Sequence, residues 1–257
     1  MISNLAVVHP KAKLGKNVTI DQFASVYEDV EIGDNCHIGS SAVIFQDTTI
    51  GTNCKIFPGA VIGAVSQDLK YKGEKTSTLI GNNNIIREYV TINKGTTDRM
   101  VTKIGDNNML MAYTHIAHDC LIGNHVILAN NAGLSGHITV EDYAILEGMV
   151  GASQFLTIGA HCFIAGGSLL RQNVPPYVRC AREPLSYIGV NKVGLTRRGF
   201  TEDSIKRIED IYRILFVKGL SMSKAMDMIE SDIPACEEKT TIVNFVKNSK
   251  HGIIKGI

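Results

Sequence analysis

Every sixth residue from Ile2 to Leu170 is aliphatic with few interruptions: Ile2, Val8, Leu14, Ile20, Val26, Ile32, and onward to Ile158, Ile164 and Leu170. Of the 29 positions in that series, 25 are Ile, Leu or Val, far more than chance placement gives. A second phase, four residues after each aliphatic, carries mostly small side chains such as Ala12, Ala24, Cys36, Ala42, Cys54 and Ala60. Six residues are too few for a helix pair, and neither a 3.6-residue period nor a simple alternation survives along the chain. The period fits one short strand plus one turn. Three such units close a triangular coil, and coils stacked at roughly 4.8 Å let each backbone group pair with the coil above or below. The expected fold is therefore mainly β, a parallel β-helix of about ten coils over residues 1–176, stabilised between neighbouring coils as solenoids are.

The exceptions are Asp68, Glu74, Asp98 and Ala152. The first three lie in QDLKYKGEKTST and TTDRMVTK, polar segments that cannot bury a face. They are expected to leave the prism as loops near 68–79 and 98–103 without breaking the six-residue phase, and loops on a rigid scaffold are where binding residues gather. The pattern stops at Pro175-Pro176. Residues 177–257 read as a connecting segment and an α-helical domain. Ile205, Ile208, Ile211, Tyr212, Leu215 and Phe216 share one helical face behind Thr201 as N-cap, with further helices starting near Ser221 and Thr240.

Lys+Arg total 26 against 25 Asp+Glu, a net charge of +1, so no global field draws this chain to nucleic acid or an anionic membrane. No stretch approaches the roughly 18 apolar residues of a membrane span, and the N-terminus lacks a secretory signal. A cytoplasmic protein is expected. Cys36, Cys54, Cys120 and Cys162 fall in the small inward phase and read as core fillers, while Cys180 and Cys236 have no metal-binding spacing, which suits a reducing compartment without disulfides.

Stacking converts sequence separation into geometry: residues eighteen apart lie above one another. His118, Gly136 and Gln154 then form one column, with Asp119, His137 and Phe155 beside it and His115 on the same coil as His118. None is in an inward phase. A lone convex prism offers these residues no pocket, so a closed cyclic assembly, most simply a homotrimer, is expected to supply the cleft. His118 with Asp119 is a base with an orienting carboxylate. Gly136, having no side chain, leaves its N–H open to a developing oxyanion, a donor whose loss typically costs about 2.7–4 kcal/mol. Base plus oxyanion donor points to acyl transfer. A catalytic zinc on His115, His118 and His137 is the rival use of three imidazoles. The five-residue histidine spacing of gamma-class carbonic anhydrases is absent, however, and no carboxylate beyond Asp119 supports the ring nitrogens. Ser135 and Ser153 lie near the histidines without a serine-nucleophile signature, and a trimeric scaffold without catalysis is the reading from another class.

The stretches QDLKY (67–71), HIAHD (115–119), ILANNAGLSGH (127–137), GGS (166–168), VPPY (174–177) and GVNKVGLTRRGF (189–200) closely resemble the UDP-N-acetylglucosamine O-acyltransferases that begin lipid A synthesis. The resemblance implies a left-handed β-helix, an exception to the right-handed crossover rule, assembled as a homotrimer with sites between subunits. It implies that His118 takes the proton of the glucosamine 3-hydroxyl, which attacks the thioester of a 3-hydroxyacyl chain on acyl carrier protein. Asp119 would orient the imidazole and the Gly136 amide would hold the oxyanion, with no covalent intermediate, cofactor or metal. Gln67, Asp68, Lys70, His115, His137 and Gln154 would contact sugar or acyl groups. Asn191, Arg197 and Arg198 would bind the nucleotide, Arg gripping pyrophosphate through charge-assisted bonds. Gly166 would leave the acyl groove open to a chain on the order of fourteen carbons or more, each buried CH₂ contributing about 0.8 kcal/mol. Lys192, Arg197 and Lys206 are candidate carrier-protein contacts. Ser153 and Val193 depart from the family pattern, where a histidine and an acid are usual, and some relatives acylate a 3-amino sugar instead. The N-acyltransferase acting later in the pathway carries an extra N-terminal domain, whereas here repeats begin at residue 2.

Overall fold

The computed structural model describes residues 1–256. Among them the repeat folds into three sheets of two- to five-residue strands, holding nine, eight and ten strands and here called sheets I, II and III. Successive strands go to I, II and III in turn, and every pairing within the prism is parallel, as in Val7↔Ser25, Lys13↔Glu31 and Thr19↔His37. The result is a left-handed parallel β-helix.

The aliphatic phase is the prism interior. Ile38, Ile44, Ile62, Ile86, Ile92 and Ile116 are fully buried, and a fully buried branched side chain is worth about 1.5–3 kcal/mol. The small phase packs inside the bends, with Ala24, Ala42, Cys54, Ala60 and Cys120 also fully buried. Nearly every bend passes through the left-handed region, and Asn dominates one edge: Asn17, Asn35, Asn53, Asn83 and Asn107 have φ of 56–59°. Asn tolerates that conformation better than most residues. Its amides also stack into a ladder, Asn17 Nδ2 donating to Asn35 Oδ1 at 3.1 Å and Asn35 Nδ2 to Asn53 Oδ1 at 3.3 Å.

Two insertions modify the eighteen-residue registry. Ile62 pairs with Ile92 and Ile50 with Ile80, thirty positions on, because residues 65–76 loop out. Ile80 pairs with Ile104 and Ile92 with Ile116, twenty-four positions on, because residues 94–100 loop out. Each insertion is a whole number of hexads, so the inward phase survives. Both loops start before the expected 68–79 and 98–103. The ends assigned to loop are instead strand, Ser77–Ile80 pairing with Val101–Ile104 over four residues.

Pro175-Pro176 does not end the sheet either. Val178–Ala181 adds a parallel rung, Ile164↔Cys180, and Ser186–Val190 turns back antiparallel to it. Four helices follow: α1 (Lys192–Arg197), α2 (Glu202–Phe216), α3 (Met222–Asp232) and α4 (Glu237–Asn248). Thr201 caps α2 as expected, α3 starts where expected with Ser221 as its cap, and α4 starts ahead of Thr240 with Cys236 as its cap. The Ile205, Ile208, Ile211, Tyr212 and Leu215 face is buried, and the Tyr212 hydroxyl donates to Pro176 O at 2.5 Å, tying the helices to the last coil.

Candidate active site

The site grows from one edge of the prism, where the chain turns from sheet I to sheet II. The strand His115–Ile116 sends Ile116 inward and His115 outward, and the turn that follows carries His118 and Asp119. Asp119 holds a left-handed φ of 59°, which swings its carboxylate back over the edge. One coil on, His115 pairs with Gly133 and Ile116 with Leu134, so Gly136 stacks on His118 as the column predicts. The stacking is close: a Cβ on Gly136 would lie 2.5 Å from His118 Cε1 and 2.6 Å from Nε2. Only glycine leaves room for the ring there. The Gly136 N–H donates to nothing among the described residues.

His118 Nδ1 lies 2.8 Å from Asp119 Oδ2, with the imidazole 4% and the carboxylate residue 0% exposed. Burial alone would raise the Asp119 carboxyl, but hydrogen bonds from the Thr96 hydroxyl, His118 and the Thr96 amide hold it below the usual carboxylate range. A carboxylate fixed in its charged form selects the tautomer with the proton on Nδ1, leaving the Nε2 lone pair for a substrate. His137 Nε2 is 3.8 Å from Asp119 Oδ2 and 3.4 Å from Asp98 Oδ2, and its ring stacks on Phe155 with centroids 4.4 Å apart. Burial depresses His137, with the Asp119 charge opposing. Burial and the neighbouring His118 depress His115, whose Nδ1 lies 2.7 Å from Thr91 Oγ1.

A cleft of about 910 Å³ opens in front of His118, so a single chain does have a pocket, contrary to the convex prism expected. Two features make it. The 65–76 loop stands out as a wall carrying Gln67, Asp68, Leu69 and Lys70. Opposite, the outward column of sheet I reads His115, Gly133, Gly151, Leu169, and the two glycines hollow the floor. Ser66 Oγ accepts from Asp68 N and Asp68 Oδ1 from Lys70 N, at 3.1 and 2.9 Å. The second of these bonds holds the Asp68 carboxyl low, and its Oδ2 sits 3.9 Å from His118 Nε2.

The cleft thus unites Gln67, Asp68, Lys70, His115, His118, Gly136 and Gln154, with Asp119 and His137 directly behind. The other residues singled out in the sequence do not join them in one chain. Asn191 is buried as the cap of α1, its amide donating to His161 O at 2.9 Å. Arg198 donates to Tyr143 O at 3.1 Å over that ring, on the edge between sheets II and III, and Arg197 is exposed beside it. Gly166 lies on the third edge, its Cβ direction 3.1 Å from Gly148 O. Sequence reasoning missed Thr96, Arg99, Gly133 and Gly151. The glycines carried a signal, standing twice where the hexad usually has a larger outward residue; the loop residues did not.

Among the described residues, the His, Cys, Asp and Glu side chains close enough to share a metal ion are His118, Asp119 and His137, with donor atoms within 4.8 Å. His115 is outside that group, so the trio His115, His118 and His137 does not converge. Asp119 Oδ1 accepts from Thr96 N and Arg99 N, and Oδ2 from Thr96 Oγ1 and His118, which fills the roughly four acceptor positions of a carboxylate. That arrangement suits an orienting carboxylate better than a metal ligand.

Residues 173–254 match the family described as Udp N-acetylglucosamine O-acyltransferase, domain 2, and residues 11–46 and 102–136 match the bacterial transferase hexapeptide. An acyl-[acyl-carrier-protein]--UDP-N-acetylglucosamine O-acyltransferase of Burkholderia lata is 45% identical over 201 residues, 76% of this chain and 77% of that protein. The crystal structure of LpxA, a UDP-N-acetylglucosamine acyltransferase from Bacteroides fragilis, superposes with a TM-score of 0.98 at 46% identity, covering 99% of this chain and 100% of that one. The Francisella novicida UDP-N-acetylglucosamine acyltransferase gives 0.94 at 40% identity over 99% of this chain and 94% of that one.

Proposed function

We propose a working cycle for this cleft from the premise that the chain belongs to the acyl-[acyl-carrier-protein]--UDP-N-acetylglucosamine O-acyltransferase family. The protein is an acyltransferase that moves an acyl chain from acyl carrier protein to UDP-N-acetylglucosamine, the first step of lipid A biosynthesis. In our reading the donor is a 3-hydroxyacyl thioester and the acceptor the sugar 3-hydroxyl. His118 Nε2 takes the hydroxyl proton as the oxygen attacks the thioester carbonyl. The Gly136 N–H, free and one coil away, receives the oxyanion. Collapse expels the carrier's thiolate, which recovers the proton from the imidazolium. Asp119 stays ionised throughout and stabilises that imidazolium. A base and an oxyanion donor of this kind contribute roughly 10²–10⁴-fold and about 2.7–4 kcal/mol respectively. Asp68, Lys70, His115, His137 and Gln154 contact sugar or acyl groups, with Gln67 beside them. No metal or cofactor enters this cycle. The observation that carries it is the hydrogen bond of 2.8 Å between His118 and Asp119, with the ring packed on a side-chain-free amide.

The working form in this reading is a homotrimer. Asn191, Arg197 and Arg198 sit on the II–III edge and Gly166 on the III–I edge, so a copy packed alongside can bring them to the I–II cleft of its neighbour, nucleotide beside arginine and acyl chain beside glycine. No helix among the described residues is long and apolar enough to cross a membrane, and we place the reaction in the cytoplasm, where carrier protein and sugar nucleotide are available. The test is product analysis with 3-hydroxyacyl carrier proteins of several lengths and both the 3-hydroxyl and 3-amino UDP-sugars, including mixed His118→Ala and Arg198→Ala subunits. Ester product from long donors, and recovered turnover in the mixed trimers, is expected. Amide product alone reverses the acceptor, and no recovery on mixing removes the shared site.

A further inference from the structure

The 94–100 insertion is only one hexad long, yet it covers the most buried charge on the working edge of the prism. Its Thr96 is 8% exposed and spans both ends of the Asp119 carboxylate, the backbone N–H donating to Oδ1 at 3.0 Å and the hydroxyl to Oδ2 at 2.6 Å. Oδ2 is also the oxygen that faces His118 Nδ1. Arg99 adds its backbone N–H to Oδ1 at 3.2 Å and its guanidinium to the Asp119 carbonyl at 2.8 Å. From below, Thr102 Oγ1 accepts the Asp119 N–H at 2.8 Å. The loop is itself braced: Thr76 of the first insertion donates to Gly95 O at 2.6 Å, and the buried Lys94 pairs with Asp47 at 3.1 Å. Asp119 therefore has neither a free acceptor position nor freedom to rotate.

We propose that Thr96 is a positioning residue for proton transfer, its hydroxyl fixing the Asp119 oxygen that holds the His118 Nδ1 proton. The inference rests on the reading of His118 as the base. Thr96 touches neither substrate nor the reacting nitrogen and acts through Asp119. A carboxylate with only His118 on Oδ2 can pivot, and the ring aimed by it then spends less time with Nε2 towards the sugar hydroxyl; misalignment on the scale of an ångström costs catalysis heavily.

The experiment compares Thr96→Val, which keeps the shape and the backbone donor, with Thr96→Ser, which keeps the hydroxyl, in the full chain. Thr96→Val is expected to lower kcat about ten-fold or more with sugar KM within about two-fold, and Thr96→Ser to restore most of it. A downfield imidazole N–H resonance, assigned by its absence in His118→Ala, is expected to survive in Thr96→Ser and to broaden through faster exchange in Thr96→Val. Unchanged kcat and an unmoved resonance in Thr96→Val overturn the proposal. So do equal losses in both variants, or failure of both Thr96→Val and Thr96→Ala to fold, which would make the residue structural. The parent reading fails separately: a His118→Ala enzyme of full activity removes the base, while the resonance still reports whether Thr96 holds the pair.

Discussion

The I–II edge is built the same way along the whole prism, but its first coils and its middle do different work. Asp29, Asp47 and Asp119 occupy the same rung position, three residues after the inward aliphatic, with φ of 54°, 60° and 59°. Asp29 is exposed, on a coil whose only charged dressing is surface pairs such as Lys11–Glu28 at 3.0 Å. Asp47 lies under both insertions and neutralises Lys94. Asp119 is fully buried and carries four donors. Backbone geometry is constant along the series, so what turns a solubilising turn residue into half of a dyad is the loop folded over it and the glycine stacked beside its neighbour.

The largest expected effect sits at the covered rung. His118→Ala should lower kcat/KM about 10³-fold or more while lowering the melting temperature only modestly, because no inward aliphatic depends on the ring and Asp119 keeps its other three donors. Steady-state kinetics beside thermal unfolding checks this. Residual activity above about a tenth of the parent's would mean the covered edge is no more catalytic than the open one.

The contrast sharpens against a half-buried imidazole on the II–III edge. His161 stacks between Tyr143 and Tyr177, at 4.8 and 5.7 Å, but among the described residues no carboxylate clamps it and its Nδ1 has no partner. Burial, with Arg198 adding to it and Asp142 opposing, pushes its pKa down to about 4. The sign follows from the lowered value. Near pH 7 folded and unfolded chains both hold His161 neutral; below about 6.5 the unfolded chain takes a proton that the folded chain refuses until about 4. Stability should therefore fall as the pH drops through that window, by at most about 1.4 kcal/mol per pH unit from this group. His161→Gln should flatten that part of a chemical-denaturation series between pH 7 and 4.5. An equal slope in the variant would mean that other groups, such as His115 and His137, carry the dependence.

The prism and its inward phase were legible because a hexad repeats its own test many times, and the His118–Gly136 column followed because no insertion falls between residues 115 and 155. The clamp was not legible. Thr96 and Arg99 meet Asp119 through a loop that leaves the periodic lattice, so no column rule places them, and threonine in a polar segment looks like any solvated turn. Arg198 and Gly166 were identified as site residues by resemblance, but their edges of the prism become visible only when strands are assigned to sheets. The short helix α1 escaped because KVGLTR has one buried apolar residue, Leu195, and no face to read.

The smallest effect tests whether the rung itself matters. Asp29→Asn keeps a residue that tolerates left-handed backbone, removes one exposed charge and breaks no buried hydrogen bond, so stability should change by less than about 0.5 kcal/mol and turnover not at all. The same substitution at the equivalent covered rung, Asp119→Asn, presents an amide with one acceptor oxygen to four donors. Its NH2 then meets the Thr96 hydroxyl and His118 Nδ1 where a carboxylate oxygen stood, so either His118 turns to the tautomer with its proton on Nε2 or a buried donor goes unpaired, at about 1–3 kcal/mol. It should also erase the acid-side loss of stability from Asp119, whose depressed carboxyl contributes above its unfolded value near 3.9 and ceases to as pH falls through the folded one. Urea titrations of both variants at pH 7 and at about pH 3, below the unfolded carboxyl value, decide it. Matching losses would place the cost in the turn conformation that the two aspartates share; a loss at residue 119 alone places it in the loop that covers only one of them.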